Sequence, residues 1–170
     1  MNKKVLYFCI IAIIAAMYTA VSLALAPLSF GNIQIRIAEC LTMLPLIFAP
    51  SIYGVILGCF LTNLIGAFMG VNLLGFLDVI VGTLATALAA FMTYKLRNIK
   101  IKNIPIFAIL MPVIFNGVII GVELGYVLFP QNFLLGSLIC GVEVAIGELV
   151  SVIVGYFIVK ALAPKIKAFL

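Results

Sequence analysis

The sequence predicts an all-α, polytopic membrane protein, with six transmembrane helices in one integral membrane domain covering residues 1–170. Three observations carry this reading. The chain is 66% apolar and 9% charged, whereas soluble chains run at about 45–50% and about 25%. Its mean hydropathy is +1.41, so it has too few polar groups to cover a water-soluble domain of this size. Its cations are clustered along the chain while its anions are not, which is a topology signal in lipid. Fully helical, the chain would extend about 255 Å, enough for at most about eight crossings of a bilayer core. Loops lower that to about six and leave no room for a soluble domain.

The first span is placed near 5–26, after Lys3 and Lys4. Ala24-Leu25-Ala26 resembles a leader-peptidase site, but Pro27 would follow the cut directly and the run of 22 residues exceeds a usual leader core. It is read as a retained helix. Lys3 and Lys4, the group Lys95, Arg97, Lys100 and Lys102, and the group Lys160, Lys165 and Lys167 make nine clustered cations; Arg36 stands alone. Placing the nine in the cytoplasm leaves Arg36 outside, puts both termini in the cytoplasm and makes the number of crossings even. The plasma membrane is the expected location. Between Arg36 and Lys95 the crossings are then odd, and the helix available there, about 88 Å, accommodates three. They are placed near 39–50, 52–69 and 73–95. The first of these is short and carries Pro45 and Pro50, so it is expected to be tilted, broken or part-buried. The fifth span is placed near 104–129 and the sixth near 134–163.

Several function classes fall away. The chain has no His, which removes Ser-His and Cys-His nucleophile pairs and imidazole metal sites. Cys9, Cys40, Cys59 and Cys140 show no C-x-x-C spacing and read as small core residues. No phosphate-binding G-x-x-x-x-G-K-[ST] loop is present. No enzyme activity, cofactor or metal is expected, and uphill transport would take its energy from an ion gradient or another chain. The +5 charge is a topology signal; no extramembrane surface is large enough to hold nucleic acid.

Three features point to function. Ala12, Ala16, Ala20 and Ala24 recur every four residues on the first span, a stripe along which another helix can approach closely in lipid. That helix is either a partner's or one of this chain. After this span, Ile33, Ile35 and Ile37 alternate with Asn32, Gln34 and Arg36. Period 2 implies an extended segment, either a lid turning Gln34 and Arg36 inward or an interfacial loop with Arg36 snorkelling. Every acid (Glu39, Asp78, Glu123, Glu143 and Glu148) lies inside or at the edge of a span. Each costs about 2.5–3.5 kcal/mol at mid-membrane, so unpaired placement is unfavourable. The topology puts these acids in the outer half or near the midplane, below Arg36. Glu39 is the best placed to pair with Arg36 or cap a helix. Asp78, Glu123 and Glu143 are the candidates for a binding site. Asn116, seven residues before Glu123, shares its helical face, and Asn63 sits in the outer part of the third span. The glycines Gly54, Gly58, Gly66, Gly70 and Gly75 are expected to bring the third and fourth spans together. Gly117, Gly121 and Gly125 are expected to be packing positions on the fifth.

The stretch Pro27-Leu28-Ser29-Phe30-Gly31-x-x-Gln34-x-Arg36-x-x-Glu39-x-Leu41-Thr42-x-Leu44-Pro45 resembles the signature of the QueT family, the queuosine-precursor S components of energy-coupling factor transporters. Leu77-Asp78-x-x-x-Gly82-Thr83-Leu84-Ala85-Thr86 is similar to the same family. The resemblance covers nearly the whole chain. It implies a six-helix S-component bundle that binds a 7-deazaguanine from outside, either the nitrile or aminomethyl precursor or queuine. It also implies a transmembrane coupling subunit and two cytoplasmic ATPases as partners, with Ala12, Ala16, Ala20 and Ala24 docking on the coupling subunit. The substrate-binding candidates are Gln34, Arg36, Glu39, Asn63, Asp78, Asn116, Glu123, Tyr126 and Glu143. A carboxylate accepts the N–H pair of a guanine edge, an amide or backbone N–H meets the ring carbonyl, and Phe30, Phe76, Phe115 or Tyr126 offers a stacking face. The alternatives are an S component for another small vitamin-like solute and a proton-coupled secondary carrier.

Overall fold

The computed structural model describes residues 3–30 and 35–169. It is built of helices: α1 (Lys3–Ala24), the one-turn α2 (Ala26–Ser29), the 3-10 helix η1 (Ile37–Leu46), α3 (Ser51–Phe68), α4 (Phe76–Leu96), α5 (Ile106–Leu128), the 3-10 turn η2 (Pro130–Asn132) and α6 (Phe133–Phe169). No strand occurs among the described residues. Five of the helices are long and apolar enough to cross a membrane. The expected boundaries differ from these by a few residues, except that α6 runs on to Phe169. Its 37 residues reach about 55 Å, well beyond a bilayer core.

The expected short span is η1, and its register shows what it does. Tyr18 of α1 meets Glu39, and Tyr7 meets Phe48 edge-on at 5.7 Å. The chain after Arg36 therefore runs antiparallel to α1, back toward its N-terminal end. On α3, Gly54 lies against Ile14, Gly58 against Tyr18 and Gly66 against Phe30, so α3 runs parallel to α1. The chain can do this only because residues 37–50 make a crossing of their own. A ten-residue 3-10 helix is unusual, since such runs are rarely longer than 3–4 residues. Pro45 lacks the N–H that an α-helix would need there. Packing supplies the rest, because η1 touches α1, α3, α4, α5 and α6. It is the axis of the bundle, with α1–α3–α4–α5–α6 adjacent in turn around it.

Glycines set the close approaches. Gly54 and Gly58 seat α3 on α1, not on α4 as expected, because Ile14 and Tyr18 occupy the space a Cβ would take. Gly70 (φ 69°) and Gly75 (φ 60°) serve the turn between α3 and α4 instead, in a region costly for other residues. Gly117, Gly121 and Gly125 pack α5 on α6, opposite Ala145, Gly141 and Ser137. The link from α4 to α5 is a tight turn in which Ile101 and Ile104 exchange backbone hydrogen bonds of 2.9 and 3.0 Å. Cys59 and Cys140 are buried as expected; Cys9 is exposed on the outer face of α1.

Candidate functional site

Four carboxylates are buried, Glu39, Asp78, Glu123 and Glu148, and among the described residues Arg36 is the one buried cation. They come from η1, α4, α5, α6 and the segment before η1, and they meet on the inner faces of these elements in two tiers. The outer tier is built on Asp78, in the first turn of α4. Its Oδ2 accepts from Arg36 Nη2 at 2.6 Å and from Asn72 Nδ2 at 3.0 Å. Asn63 Nδ2 donates to the Asp78 carbonyl at 2.8 Å, fastening α3 to α4. Gly82 makes this possible: a Cβ there would run into Asp78 and lie 2.8 Å from Asn63 Nδ2. Arg36 therefore pairs with Asp78, not with Glu39, which was the best placed by sequence proximity. Buried this way, a lone guanidinium would be costly; the paired geometry is what holds it inside.

The inner tier is built on Glu39 and Glu148. Glu39 Oε1 accepts from the Tyr18 hydroxyl and, at 3.2 Å, from Thr86 Oγ1. Thr86 lies eight residues after Asp78, with Gly82 midway, so the three share the inward face of α4. Glu148 Oε1 accepts from Asn116 Nδ2 at 3.1 Å, across the α5–α6 seam. Arg36, Asn116, Ile120, Val144 and Glu148 line a small gap of ≈ 10 Å³ between the two tiers, about the room one water molecule takes. Glu39 and Glu148 are near enough to feel each other's charge and that of Arg36.

Glu123 stands at the level of Asp78, within electrostatic reach of both Asp78 and Arg36. It is 4% exposed, yet neither side-chain oxygen has a donor. Asp78 Oδ1, Glu39 Oε2, Asn63 Oδ1 and Arg36 Nε are likewise buried without a partner. Buried polar groups are normally satisfied, so this concentration of open acceptors marks a place built to receive donors.

Of the expected site residues, Arg36, Glu39, Asn63, Asp78, Asn116 and Glu123 are thus brought together. Glu143 is not. It lies five residues before Glu148, about 140° around the helix, and is only half-buried on α6. Tyr126 is 68% exposed and meets Glu123 only along a surface groove between α4 and α5. Gln34 lies outside the described residues. Of the candidate stacking rings, Phe76 is exposed and set edge-on to Phe68 at 5.2 Å, and Phe30 is buried against Gly66. The sequence reading did not single out Glu148, Tyr18, Thr86 or Asn72 for the site. The i, i+4, i+8 series Asp78, Gly82, Thr86 was a usable signal for Thr86. Tyr18 lies on the face of α1 opposite the alanine stripe, and that was a signal too.

The alanine stripe itself points away from the bundle. Ala12, Ala16, Ala20 and Ala24 are all exposed, while Ile14, Ala15, Tyr18 and Ser22 form the buried face. The stripe is therefore not the surface on which α1 packs against its own chain.

Comparison with curated proteins and with solved structures returns no match. A family model described as "QueT transporter" matches residues 8–164. That stretch contains Arg36, every carboxylate of both tiers and the alanine stripe, and it spans nearly all of the bundle. The apolar helices and the match agree on a multi-pass membrane transport protein, and this chain belongs to the QueT transporter family.

Proposed function

We propose that this chain is the solute-binding S component of an energy-coupling factor importer and takes up a 7-deazaguanine, a queuosine precursor or queuine, from outside the cell. The observation that carries the reading is the convergence of four buried carboxylates, three of them with oxygens that no donor reaches. A 7-deazaguanine presents N1–H beside an exocyclic amine, and a carboxylate accepts both as a bidentate pair. Glu148 is the carboxylate for this edge. It borders a small gap with Asn116 and Arg36, whose N–H groups suit the ring carbonyl, and the gap must widen to admit the heterocycle. Asp78 is already committed to Arg36 and positions it.

The outward alanine stripe supports docking on a transmembrane coupling subunit, with two ATPases on the cytoplasmic side supplying the energy. Small residues let helix backbones approach closely in lipid, and the four alanines offer that face with no helix of their own chain upon it. The clustered cations support an orientation with both termini in the cytoplasm.

Titration calorimetry on the detergent-purified chain alone tests the binding reading. Tight, saturable heat is expected with a 7-deazaguanine, and Glu148→Gln is expected to weaken it by about tenfold to a hundredfold. No heat, together with an unshifted unfolding temperature, contradicts it.

A further inference from the structure

In the turn between α4 and α5, Ile101 and Ile104 exchange backbone hydrogen bonds. The two residues between them, Lys102 and Asn103, both have positive φ, 49° and 66°. Asn-Gly is the pair that fits such a turn best, so a lysine is held at its tip in a conformation that is costly for it. Ile99 and Ile101 alternate with Lys100 and Lys102, Ile104 and Ile106 follow, and all six are exposed. Among the described residues neither lysine has a hydrogen-bond or ion-pair partner. Lys95 and Arg97 come just before them, Arg97 stacked 3.6 Å above the Tyr94 ring. On α6, Gly117 lies against Ala145 and Gly125 against Ser137, an antiparallel register that brings Lys160 to the level of the turn. The nearest acid on α6, Glu148, is twelve residues back from Lys160, about 18 Å along the helix.

Isoleucine is unfavourable in water and lysine in hydrocarbon. Their alternation suits the boundary between acyl chains and headgroups, where the apolar branches enter and the amines snorkel to phosphate. A basic cluster beside the end of a span is drawn to anionic lipid. The turn also lies away from the alanine stripe, since α1 packs on α3 and η1. We infer that the α4–α5 turn binds the headgroup phosphate of an anionic phospholipid through Lys100 and Lys102, with its isoleucines against the acyl chains. This site is separate from the carboxylate tiers and does not rest on the 7-deazaguanine reading.

The test is native mass spectrometry and thermal unfolding of the full-length protein in detergent micelles doped with phosphatidylglycerol or phosphatidylcholine. Wild type is expected to retain phosphatidylglycerol preferentially and to unfold at a higher temperature with it. Lys100→Gln/Lys102→Gln is expected to weaken phosphatidylglycerol binding by about 25-fold, about fivefold per lysine, with stability in phosphatidylcholine unchanged. Lys102→Gly is expected to unfold at a higher temperature in phosphatidylcholine, because glycine adopts positive φ readily, and to bind phosphatidylglycerol more weakly. Equal retention of the two lipids by wild type overturns the inference, as does unchanged phosphatidylglycerol affinity in either variant. If that affinity is unchanged while the double variant loses a co-purifying membrane protein, the turn docks on protein and not on lipid. Equal weakening by Lys3→Gln/Lys4→Gln, which removes the same charge from α1, overturns the turn as the site. Stabilisation by glycerol phosphate as great as by the lipid overturns the part given to the isoleucines.

Discussion

Arg36 is a charge held in the interior by one partner, and the energetics at the residue scale follow from that. Removing one member of a buried pair leaves the other uncompensated, at a cost of about 3–5 kcal/mol. Arg36→Gln and Asp78→Ala are each expected to lower the unfolding temperature sharply in detergent. The double variant Arg36→Met/Asp78→Leu is expected to recover much of the stability and none of the ligand binding. Recovery of both would show that the pair has no part in the site. Gly82→Ala adds no charge but pushes against Asp78 and Asn63, so it is expected to reduce ligand affinity in the same titrations. At this scale the sequence was a good guide to which polar residues are buried, because an intramembrane acid or amide is costly anywhere else. It was a poor guide to their pairing. Arg36 bonds to Asp78, 42 positions away, and the neighbour three positions away goes to Tyr18. Glu143 was the candidate on the sixth span and Glu148 was not, and the rotation of α6 about its axis reverses that order, leaving Glu143 half-buried and Glu148 inside.

Among the elements, η1 is the least regular and the most connected. Its 3-10 geometry followed from Pro45 and from contacts on every side, and the contacts cannot be read from the segment itself. The expectation of a short, part-buried crossing came from counting charges on either side of it, and the register of α1, η1 and α3 agrees with that count. The α5–α6 seam depends on glycine facing glycine. A side chain at Gly121 would enter the backbone of Gly141, so Gly121→Leu is expected to cost about 1–3 kcal/mol or more, measured as thermal unfolding in detergent. No shift would mean the seam is looser than described. Because Asn116 and Glu148 face each other across this seam, ligand affinity should fall with it. On α1, if the proposed coupling subunit docks on the stripe, Ala16→Trp is expected to abolish co-purification with it while the isolated chain still binds the proposed solute. Retained co-purification would remove the stripe from the docking account.

For the whole molecule, the cation clusters support one orientation, with both termini in the cytoplasm, and it is open to test. In a background without native cysteines, Lys100→Cys is expected to react with an impermeant thiol reagent only after the cells are opened. Gln131→Cys, at the other end of α5, is expected to react in intact cells. The reverse pattern would invert the bundle and turn the site to the cytoplasm. The number of crossings and their order were legible because length, hydropathy and charge are properties of the chain. The site's shape was not, since it depends on how five elements rotate against η1. The most direct measurement of the central claim is a structure of this protein with a 7-deazaguanine bound. The heterocycle is expected among η1, α4, α5 and α6, its amine edge at Glu148 and its ring carbonyl toward Arg36 or Asn116. Density in the apolar surface groove that Val113, Gly117, Leu138 and Gly141 line between α5 and α6, with Glu148 and Arg36 untouched, would contradict the account.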